Sequence, residues 1–504
     1  MANTPALASP LEQNQELKTV ALEETPWLRE AQDESQARRH VGVLFDAKRL
    51  EDEAKGGLDQ LAKLQLSDGL WPWLPGFTGD EYITLYIAAG FGRLRQLGVA
   101  DLDLRPALRA LSALDAWMNR EYQRIKTMDD GSKEKHHLNA RIAFYLYGRS
   151  FFLKDRPVAR RYQEALQYWL AEARAYWLQL PRLSQGHLAI GLKRFGDAAT
   201  PVAIMKSIKE YSVSSAELGM CWRDTEESWW WYRAPIATQA LMIEAFDEVM
   251  GDAQAVEACK VWLLKQKQTQ NWQTSTDTAD AVYALLRRGR SLLTSDALVE
   301  VRLGGETITP QKVEAGTGYY EQKFAGGEIK PAMGAITVKK TDAGVSWGSV
   351  HWQYLEEIDK ITPHTGTPLK LKKTLYRKEA TKQGELLVPV QGPLAVGDEL
   401  VSRIELRVDR DMEYVHLKDQ RGSGTEPVNV LSQTKFQDGL MYYESTRDTA
   451  SHFFIAYLPK GTYVFAYSVR VQLRGRYQSG LASIQCLYAP EFNSHSQSVE
   501  LEVK

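Results

Sequence analysis

The residue types best suited to chemistry are three carboxylates in one turn. Asp224, Glu226 and Glu227 are followed directly by the aromatic run 229–232, Trp-Trp-Trp-Tyr. Carboxyl groups beside aromatic rings can hold a sugar ring and protonate a glycosidic oxygen, but the two that act must flank the scissile bond. Residues of a single short turn rarely have that separation. We therefore favour a solvated turn whose tryptophans close the end of a helical domain, and we keep a sugar site as the alternative.

Other reactive residue types give weaker patterns. His136 and His137 are adjacent, and neighbours on a helix do not share one face, so they do not predict a metal site. The pair at 129–130, Asp-Asp, is a weak match to the aspartate clusters with which terpene cyclases bind diphosphate. No Gly-x-Ser-x-Gly, His-Glu-x-x-His or phosphate-binding glycine loop occurs in the sequence. We predict no catalytic, cofactor or metal site.

The three cysteines predict buried thiols. Cys221, Cys259 and Cys486 are odd in number and widely spaced, without a Cys-x-x-Cys pair. That pattern favours neither a disulfide framework nor a structural metal. An isolated cysteine commonly packs as a small hydrophobic residue.

The elements that position these residues repeat along the chain. A tryptophan-bearing turn precedes an apolar helix three times, at 64–97, at 219–246 and at 270–286. Further helical patterns occur near 105–122, 137–153, 158–179, 183–196, 201–210, 235–249, 252–267 and 275–288, and two more surround Val41 and Leu61. Recurring helical hairpins are typical of a helical repeat. We predict an α/α toroid, with an open solenoid as the alternative.

One end of such a toroid would carry the tryptophans and the carboxylates. We therefore take Trp71, Trp73, Glu226, Glu227 and Trp230 as a possible binding surface. Two other functional classes use a surface of this kind. One is a carbohydrate-active enzyme or glycan-binding protein, and the other is a scaffold that binds a partner protein through exposed aromatic rings.

The composition changes to a β pattern after Leu293. Strands are predicted at 299–303, 335–338 and 350–355, with Trp347 and Trp352 as core candidates, and Gly304-Gly305 as a hairpin turn. Nine further strands are predicted, near 369–377, 385–390, 400–408, 412–417, 440–444, 452–458, 461–472, 481–488 and 498–503. These indicate an antiparallel β-sandwich. The predicted division is a flexible tail at 1–20, the toroid at 21–296, a small β module at 297–362 and the sandwich at 363–504.

Charge and hydropathy exclude two classes of partner. The net charge of -2 over 504 residues argues against a nucleic-acid partner, because neutralising phosphates needs a concentrated basic surface. No run of 18 apolar residues is present, so we predict no transmembrane segment. The first residues lack the basic start and apolar stretch of a signal peptide. We expect either an intracellular protein or a piece of a longer exported one.

Several longer motifs resemble one family. Leu-Lys-Gln-Lys-Gln at 264–268 and the segment 271–286 resemble the last hairpin of the thioester-type α/α domain of bacterial alpha-2-macroglobulins. Segments 409–419, 458–467 and 488–492 resemble the C-terminal macroglobulin sandwich, the counterpart of the receptor-binding domain in animal relatives. The resemblance covers nearly the whole chain, from about Glu24. It implies a protease inhibitor of the cell envelope (periplasm or outer membrane surface) or the extracellular space, with proteases as partners.

The sequence departs from that family in two respects. Cys221 is followed by Trp-Arg-Asp and Cys259 by Lys-Val-Trp, and no Cys-x-Glu-Gln thioester motif occurs. The resemblance therefore implies a non-covalent trap in which no residue inherits the thioester role. A chain of 504 residues is also too short for the upstream macroglobulin domains and the bait segment. We expect a non-catalytic C-terminal part of a longer inhibitor.

Overall fold

The computed structural model describes most of the chain outside its N-terminal region. The described residues are 27, 33–36, 47–127, 136–215, 217–226, 234–272, 274–287, 299–311, 313, 320–341, 346, 348, 350–352, 354–382 and 384–504. They form two compact units. The helical unit lies within Leu58–Leu264 and Trp272–Gly348, and the sandwich unit lies within Met1–Gly57, Lys265–Asn271 and Ser349–Lys504.

Helices occupy most of the first half of the described chain. Their bounds are α1 Ala47–Leu64, α2 Glu81–Gln96, α3 Arg105–Lys126, α4 Ala140–Ser150, α5 Gln163–Tyr176, α6 Arg182–Arg194, α7 Thr200–Glu210, α8 Arg223–Glu226, α9 Pro235–Ala245, α10 Ala253–Thr269 and α11 Ser275–Leu286. A π-helical turn, Phe246–Met250, continues α9. The helices predicted between 81 and 288 are confirmed, whereas the predicted helix around Val41 lies outside the described residues.

Local sequence explains where several helices begin. Asp80 caps α2 by accepting hydrogen bonds from the backbone N–H groups of Tyr82 and Ile83. Asn139 caps α4 and Thr274 caps α11 in the same way. Such side chains satisfy N–H groups that have no partner within the helix. Proline stands in the first turn of α3, α7 and α9, where its missing N–H costs nothing.

Alternate helices pack side by side in the helical unit. Helix α2 contacts α4, α4 contacts α6, α6 contacts α9, and α9 contacts α11. The intervening helices α3, α5, α7 and α10 connect these inner helices along the chain. The core is a single cluster with fully buried large side chains, among them Trp169, Tyr145, Phe152 and Phe246.

A small antiparallel sheet belongs to the same compact unit as these helices. It consists of β5 Glu300–Leu303, β6 Glu306–Thr307 and β7 Ile336–Lys339, in the order β6-β5-β7. Gly304 and Gly305 form the predicted turn, and both have a positive φ, which glycine adopts without strain. Two short hairpins, β1–β2 (Trp71–Pro72, Gly79–Asp80) and β3–β4 (Val213–Ser215, Gly219–Cys221), accompany the helices.

The prediction of a strand at 350–355 is wrong for the described residues in that range. None of them is paired with another strand, and Trp352 is 50% exposed, so it is not a core residue. An apolar alternation forms a strand only where a partner satisfies its backbone hydrogen bonds. Trp347 lies outside the described residues.

The C-terminal strands form two antiparallel sheets. Their bounds are β8 Leu369–Thr381, β9 Gly384–Pro389, β10 Glu399–Val408, β11 Met412–Gln420, β12 Thr425–Pro427, β13 Gln433–Gln437, β14 Leu440–Thr446, β15 Ala450–Leu458, β16 Gly461–Val471, β17 Gly475–Gln478, β18 Ala482–Cys486, β19 Asn493–His495 and β20 Glu500–Val503. One sheet has the order β12-β16-β10-β8-β9 and the other β13-β14-β15-β11-β18-β19. A helical region followed by an antiparallel β-sandwich is the predicted fold, and it is confirmed.

The sandwich core comes from alternating residues of both sheets. Ile404 and Phe465 from the five-stranded sheet meet Leu417, Phe453 and Ile484 from the six-stranded sheet in one buried cluster. Their alternation with outward-facing residues is the pattern of a sheet buried on one face. In the part of the chain that the structure describes, no helix is both long and apolar enough to cross a bilayer.

Candidate functional site

The first tryptophan-bearing turn separates its two tryptophans into different environments. Trp71 is 1% exposed and lies in the helical core. Its indole N–H donates to the Leu61 carbonyl at 2.7 Å, and its backbone N–H donates to Thr84 Oγ1 at 2.9 Å. Because it is buried and hydrogen-bonded, Trp71 cannot form part of an exposed binding surface. This corrects one residue of the predicted surface.

Trp73 is on the surface. It is 61% exposed and stacks on Tyr82, with ring centroids 6.1 Å apart and an angle of 16° between the planes. Leu74 and Phe77 are exposed beside it in the sequence. We define these four residues, Trp73, Leu74, Phe77 and Tyr82, as the hairpin patch. Exposed apolar groups of this kind commonly mark an interaction surface.

The hairpin that carries the patch is held in one conformation. Trp71 pairs with Asp80 and Pro72 pairs with Gly79 across β1 and β2. A Cβ atom at Gly79 would lie 2.4 Å from the Leu70 Cβ, so only glycine fits at this close approach. A surface that is ordered before binding loses little conformational entropy when a partner binds.

The acidic turn is only partly described. Asp224 forms an ion pair with Arg182, with a 3.0 Å separation between Oδ2 and Nη2, and the guanidinium of Arg182 lies over the Trp222 ring. These contacts give Asp224 a structural role in the turn. The Glu226 side chain and residues 227–233, which include Glu227 and Trp230, lie outside the described part. Their role in a binding surface stays a prediction.

The cysteines are buried thiols. None of the three is in a disulfide. Burial raises the pKa of Cys259 far above its ordinary value, with a smaller contribution from Cys221, and burial raises the pKa of Cys486 to about 11. The nucleophilic form of cysteine is the thiolate, which a raised pKa disfavours. The structure therefore gives these two thiols a packing role.

The adjacent histidines take separate roles. His136 stacks on Tyr176, and the backbone N–H of His137 donates to Glu172 Oε2 at 2.8 Å. Across the described ranges, no three side chains of His, Cys, Asp or Glu come together in a group that could hold a metal ion. Both residues of the predicted aspartate pair, 129–130, lie outside those ranges.

A charge network that sequence reasoning missed joins all five inner helices. Glu244 on α9 is fully buried and accepts hydrogen bonds from Tyr147 on α4, Arg194 on α6 and Arg287, which follows α11. The distances are 2.7, 2.8 and 3.2 Å. Arg194 and Arg287 also bind Glu248 in the π-helical turn. The helical pattern of the sequence gives no indication of this network, because its members are far apart in the chain, from Tyr147 to Arg287.

The network also joins the first inner helix to the last. Arg93 on α2 donates to Asp280 on α11, and Tyr283 on α11 donates to Gln96 on α2 at 2.8 Å. The Arg93 guanidinium lies 4.9 Å from the centre of the Tyr283 ring. The series of inner helices therefore returns on itself through side-chain contacts. Removing one partner of such a buried pair is costly, because the remaining charge is left buried without compensation.

His187 lies within the same region. Its ring is 4.9 Å from both Phe144 and Tyr147. Burial lowers its pKa to about 3, and the nearby charge of Arg93 acts in the same direction. The imidazole is therefore neutral at physiological pH, which suits a packed residue.

The sandwich contains a second buried polar group. Asp419 on β11 accepts hydrogen bonds from Lys373 on β8, and at 2.8 Å from both Ser402 on β10 and Tyr467 on β16. Lys373 and Asp419 have side-chain exposures of 5% and 0%. All three donors belong to one sheet and the acceptor belongs to the other. The group therefore ties the two sheets together.

The sequence of the sandwich matches a known domain family. Residues 369–491 match the family described as the bacterial alpha-2-macroglobulin MG10 domain. This part of the chain is therefore similar to a domain of bacterial alpha-2-macroglobulins. The matched residues contain the segments 409–419 and 458–467 on which the predicted resemblance rests, and the predicted resemblance to this family is confirmed.

Individual macroglobulins are similar over nearly the whole chain. An alpha-2-macroglobulin homolog from Nostoc sp. is 23% identical over 474 residues, which are 90% of this chain and 24% of that protein. Trypsin-activated alpha-2-macroglobulin from Escherichia coli aligns with 99% of this chain and 31% of its own, at 12% identity and a TM-score of 0.42. The Escherichia coli protein activated by porcine elastase aligns with 99% and 41%, at 14% identity and a TM-score of 0.40. The chain thus spans about a quarter of the length of the curated macroglobulin that it matches.

Proposed function

We propose that this chain is the C-terminal part of a bacterial macroglobulin that confines proteases without a covalent bond to them. The match of residues 369–491 to the MG10 domain is the observation that carries the proposal. By this proposal the chain has a structural and non-catalytic role, its partners are proteases, and it acts in the cell envelope or outside the cell.

Two further observations support the non-covalent part of the proposal. The sequence contains no Cys-x-Glu-Gln motif. Cys259, whose pKa burial raises, is also surrounded by core residues of the helical unit. A thiol in that position would need extensive opening of the core before it could link to another protein.

A trapping assay tests the proposed function. The longest natural chain that contains this sequence is incubated with trypsin, and the remaining activity is measured on a large protein substrate and on a small peptide substrate. A confined protease no longer cleaves the large substrate but still cleaves the small one. We expect that selective loss for the longer chain, and no protection for the 504 residues alone.

The covalent alternative gives a different result in the same experiment. After denaturation with SDS, a non-covalently confined protease migrates at its own mass, whereas a thioester-linked protease migrates with the inhibitor. Prior treatment with methylamine should leave the mass of the inhibitor unchanged, because no thioester is available to react. Loss of protease activity on both substrates, or a protease band that migrates with the inhibitor, would contradict the proposal.

The hairpin patch favours a second role, the binding of a partner. We propose that Trp73 and its neighbours form the binding surface of the helical unit, with a protein or a glycan as partner. Trp73→Ala should weaken such binding, whereas Tyr211→Ala, at another exposed aromatic residue of the same unit, should not. Immobilised glycans and candidate proteases are the two probes. Equal binding of both variants to every probe would show that the hairpin patch is not the binding surface.

A further inference from the structure

A lysine and an aspartate face each other between the two sheets of the sandwich. Lys373 lies on β8 of the five-stranded sheet and Asp419 on β11 of the six-stranded sheet, and both side chains are buried. Lys373 Nζ is 2.5 Å from Asp419 Oδ1. An amine and a carboxyl group that are held together avoid the entropic cost of a bimolecular encounter, which is a large part of the barrier to their reaction.

The nitrogen of Lys373 is oriented by two further acceptors. It donates to the Gln420 carbonyl at 3.3 Å and to the Gly480 carbonyl at 3.4 Å. A lysine ammonium has three N–H donors, so all three have an acceptor here. When the N–H that points at Asp419 gives up its proton, the two carbonyls hold the other two. The lone pair that remains on the nitrogen then faces the carboxyl group.

Burial favours the uncharged forms of both groups. A protein interior solvates an ammonium and a carboxylate poorly. Transfer of one proton from Lys373 Nζ to Asp419 Oδ1 removes both charges at once and needs no outside base. The same transfer makes Lys373 an amine, which is its nucleophilic form. It also makes Oδ1 a hydroxyl group, which can leave as water.

The other carboxyl oxygen of Asp419 lies between two hydrogen-bond donors. Ser402 on β10 and Tyr467 on β16 both donate to Oδ2 at 2.8 Å. Two donors at this distance stabilise the negative charge that develops on a carbonyl oxygen under nucleophilic attack. Desolvation raises the pKa of Tyr467 well above its ordinary value, and the charge of Asp419 acts in the same direction. The tyrosine hydroxyl therefore keeps its proton and stays a donor.

A cavity beside the pair can receive a water molecule. Its wall includes Lys373, Ser402, Arg421 and Tyr467, and its volume is about 270 Å³, part of it open to solvent. Polar groups in such a wall can hold a water by hydrogen bonds. A water formed between the sheets thus has a way out.

We propose that Lys373 and Asp419 condense to an isopeptide bond that joins the two sheets covalently. The Nζ lone pair forms a bond to Asp419 Cγ, and the π electron pair of the carbonyl moves onto Oδ2. A second proton passes from Nζ to Oδ1, and the Cγ–Oδ1 bond breaks with its electron pair, so that Oδ1 leaves as water. The pair on Oδ2 then restores the carbonyl. The products are a secondary amide and one water, and no oxidant, reductant or cofactor takes part.

The bond makes the sandwich resistant to a cut in its backbone. The covalent loop that it closes contains β9 and β10. Like a disulfide, it restricts the unfolded chain, but a reducing agent does not break it. A protease that cuts the connection at 390–398 leaves the two pieces of the sandwich joined.

The intact mass of the purified full chain tests the proposal. Electrospray mass spectrometry should give a mass that is lower by one water than the mass of the sequence. The Lys373→Arg chain keeps a cation opposite Asp419 but has no lysine amine, and it should have the full mass of its sequence. The unchanged chain decides the question even where this variant does not fold, because its full sequence mass would overturn the proposal.

Tryptic digestion locates the bond. Trypsin does not cleave after an acylated lysine, so residues 373–377 and 419–421 should appear as one branched peptide. Fragmentation of that peptide should place the link between Lys373 and Asp419. Separate, unmodified peptides from these segments, or a loss of water at another position, would also overturn the proposal.

The rate of water loss tests the two donors to Oδ2. Freshly synthesised chains from a cell-free system are quenched in acid at intervals, and their masses are measured. Tyr467→Phe should slow the loss of water about a hundredfold, as the removal of one oxyanion donor does. Tyr457→Phe, at a tyrosine of β15 that donates to Asp411 instead, should leave the rate unchanged. Far-UV circular dichroism checks that both chains fold, and equal rates in the two folded variants would overturn the role of Tyr467.

Discussion

Trp71 and Trp73 show how two identical residues in one turn acquire different roles. Only Pro72 separates them, and the sequence motif predicts that both belong to one binding surface. The difference arises because the indole of Trp71 finds the Leu61 carbonyl inside the core, while that of Trp73 stacks on Tyr82 outside it. Burial, rather than residue type, decides which of them can bind a partner.

Matched substitutions test this assignment at the residue scale. Trp71→Phe removes the donor to the Leu61 carbonyl and leaves a cavity, and we expect it to lower the free energy of unfolding of the helical unit by about 2–4 kcal/mol. Trp73→Phe should change it by less than about 0.5 kcal/mol, as for most exposed positions. Urea denaturation followed by far-UV circular dichroism gives both values. Equal losses would place the two rings in similar environments and contradict the assignment.

His187 predicts a pH dependence of the helical unit. Its pKa is about 3 when folded and about 6.5 when unfolded, so its contribution to stability is complete above pH 6.5 and is lost as the pH falls toward 3. We expect a loss of about 2 kcal/mol between pH 7.5 and pH 5 from this residue. His187→Phe, which keeps a ring between Phe144 and Tyr147, should remove that part of the loss. His364→Phe, at an exposed histidine of the other unit, should not, and an identical acid loss in all three chains would contradict the prediction.

At the scale of elements, the inner helices depend on a shared polar network. Apolar periodicity orients each helix toward a core, but it does not specify which helices are neighbours in that core. Glu244 contributes that information, because one carboxylate receives hydrogen bonds from side chains of three other segments. The Arg93–Asp280 pair does the same between the first inner helix and the last.

Removing the shared acceptor should loosen several helices together. Glu244→Ala leaves Arg194 and Arg287 without their common buried partner, and we expect a loss of about 3–5 kcal/mol. Glu244→Gln keeps an acceptor oxygen and should lose less. Asp103→Ala breaks an exposed ion pair with Arg105 and should cost at most about 1 kcal/mol.

Hydrogen exchange measures where the loosening occurs. The Glu244→Ala chain should show faster exchange in α4, α6 and α11, the elements that hold or adjoin its partners. Faster exchange confined to α9 would indicate that the network does not couple the helices.

At the scale of the whole molecule, two separate cores predict two unfolding transitions. The helical and sandwich clusters share no member, and the described residues divide into two compact units. Asp419→Ala leaves Lys373 buried without its carboxylate and should lower the transition of the sandwich by about 3–5 kcal/mol, while Glu244→Ala lowers that of the helices. Near-UV and far-UV circular dichroism distinguish the two transitions. A single transition shifted by both variants would show that the units unfold together.

The sequence by itself determined the kinds of elements and their order. Apolar spacing predicts the helices between 81 and 288, and alternation predicts nine of the thirteen strands from β8 to β20, because both signals are local. The short strands β12, β13, β17 and β19 escaped prediction, since a few residues carry too little periodicity. Segments 409–419 and 458–467 also indicated the resemblance to bacterial alpha-2-macroglobulins, and both lie within the residues that match the MG10 domain.

Only the tertiary structure decided which residues meet. The described residues of the strand predicted at 350–355 pair with no other strand, and Trp71 is buried whereas Trp73 is exposed. The Glu244 network, the Asp419 group and the contact of Trp27 with Phe454 join residues that are far apart in the chain. The physical reason is that hydrogen bonds and ion pairs between distant segments depend on their separation in space. A sequence contains the spacing of apolar residues within each element. The contacts between elements form only when the folded backbone brings them together.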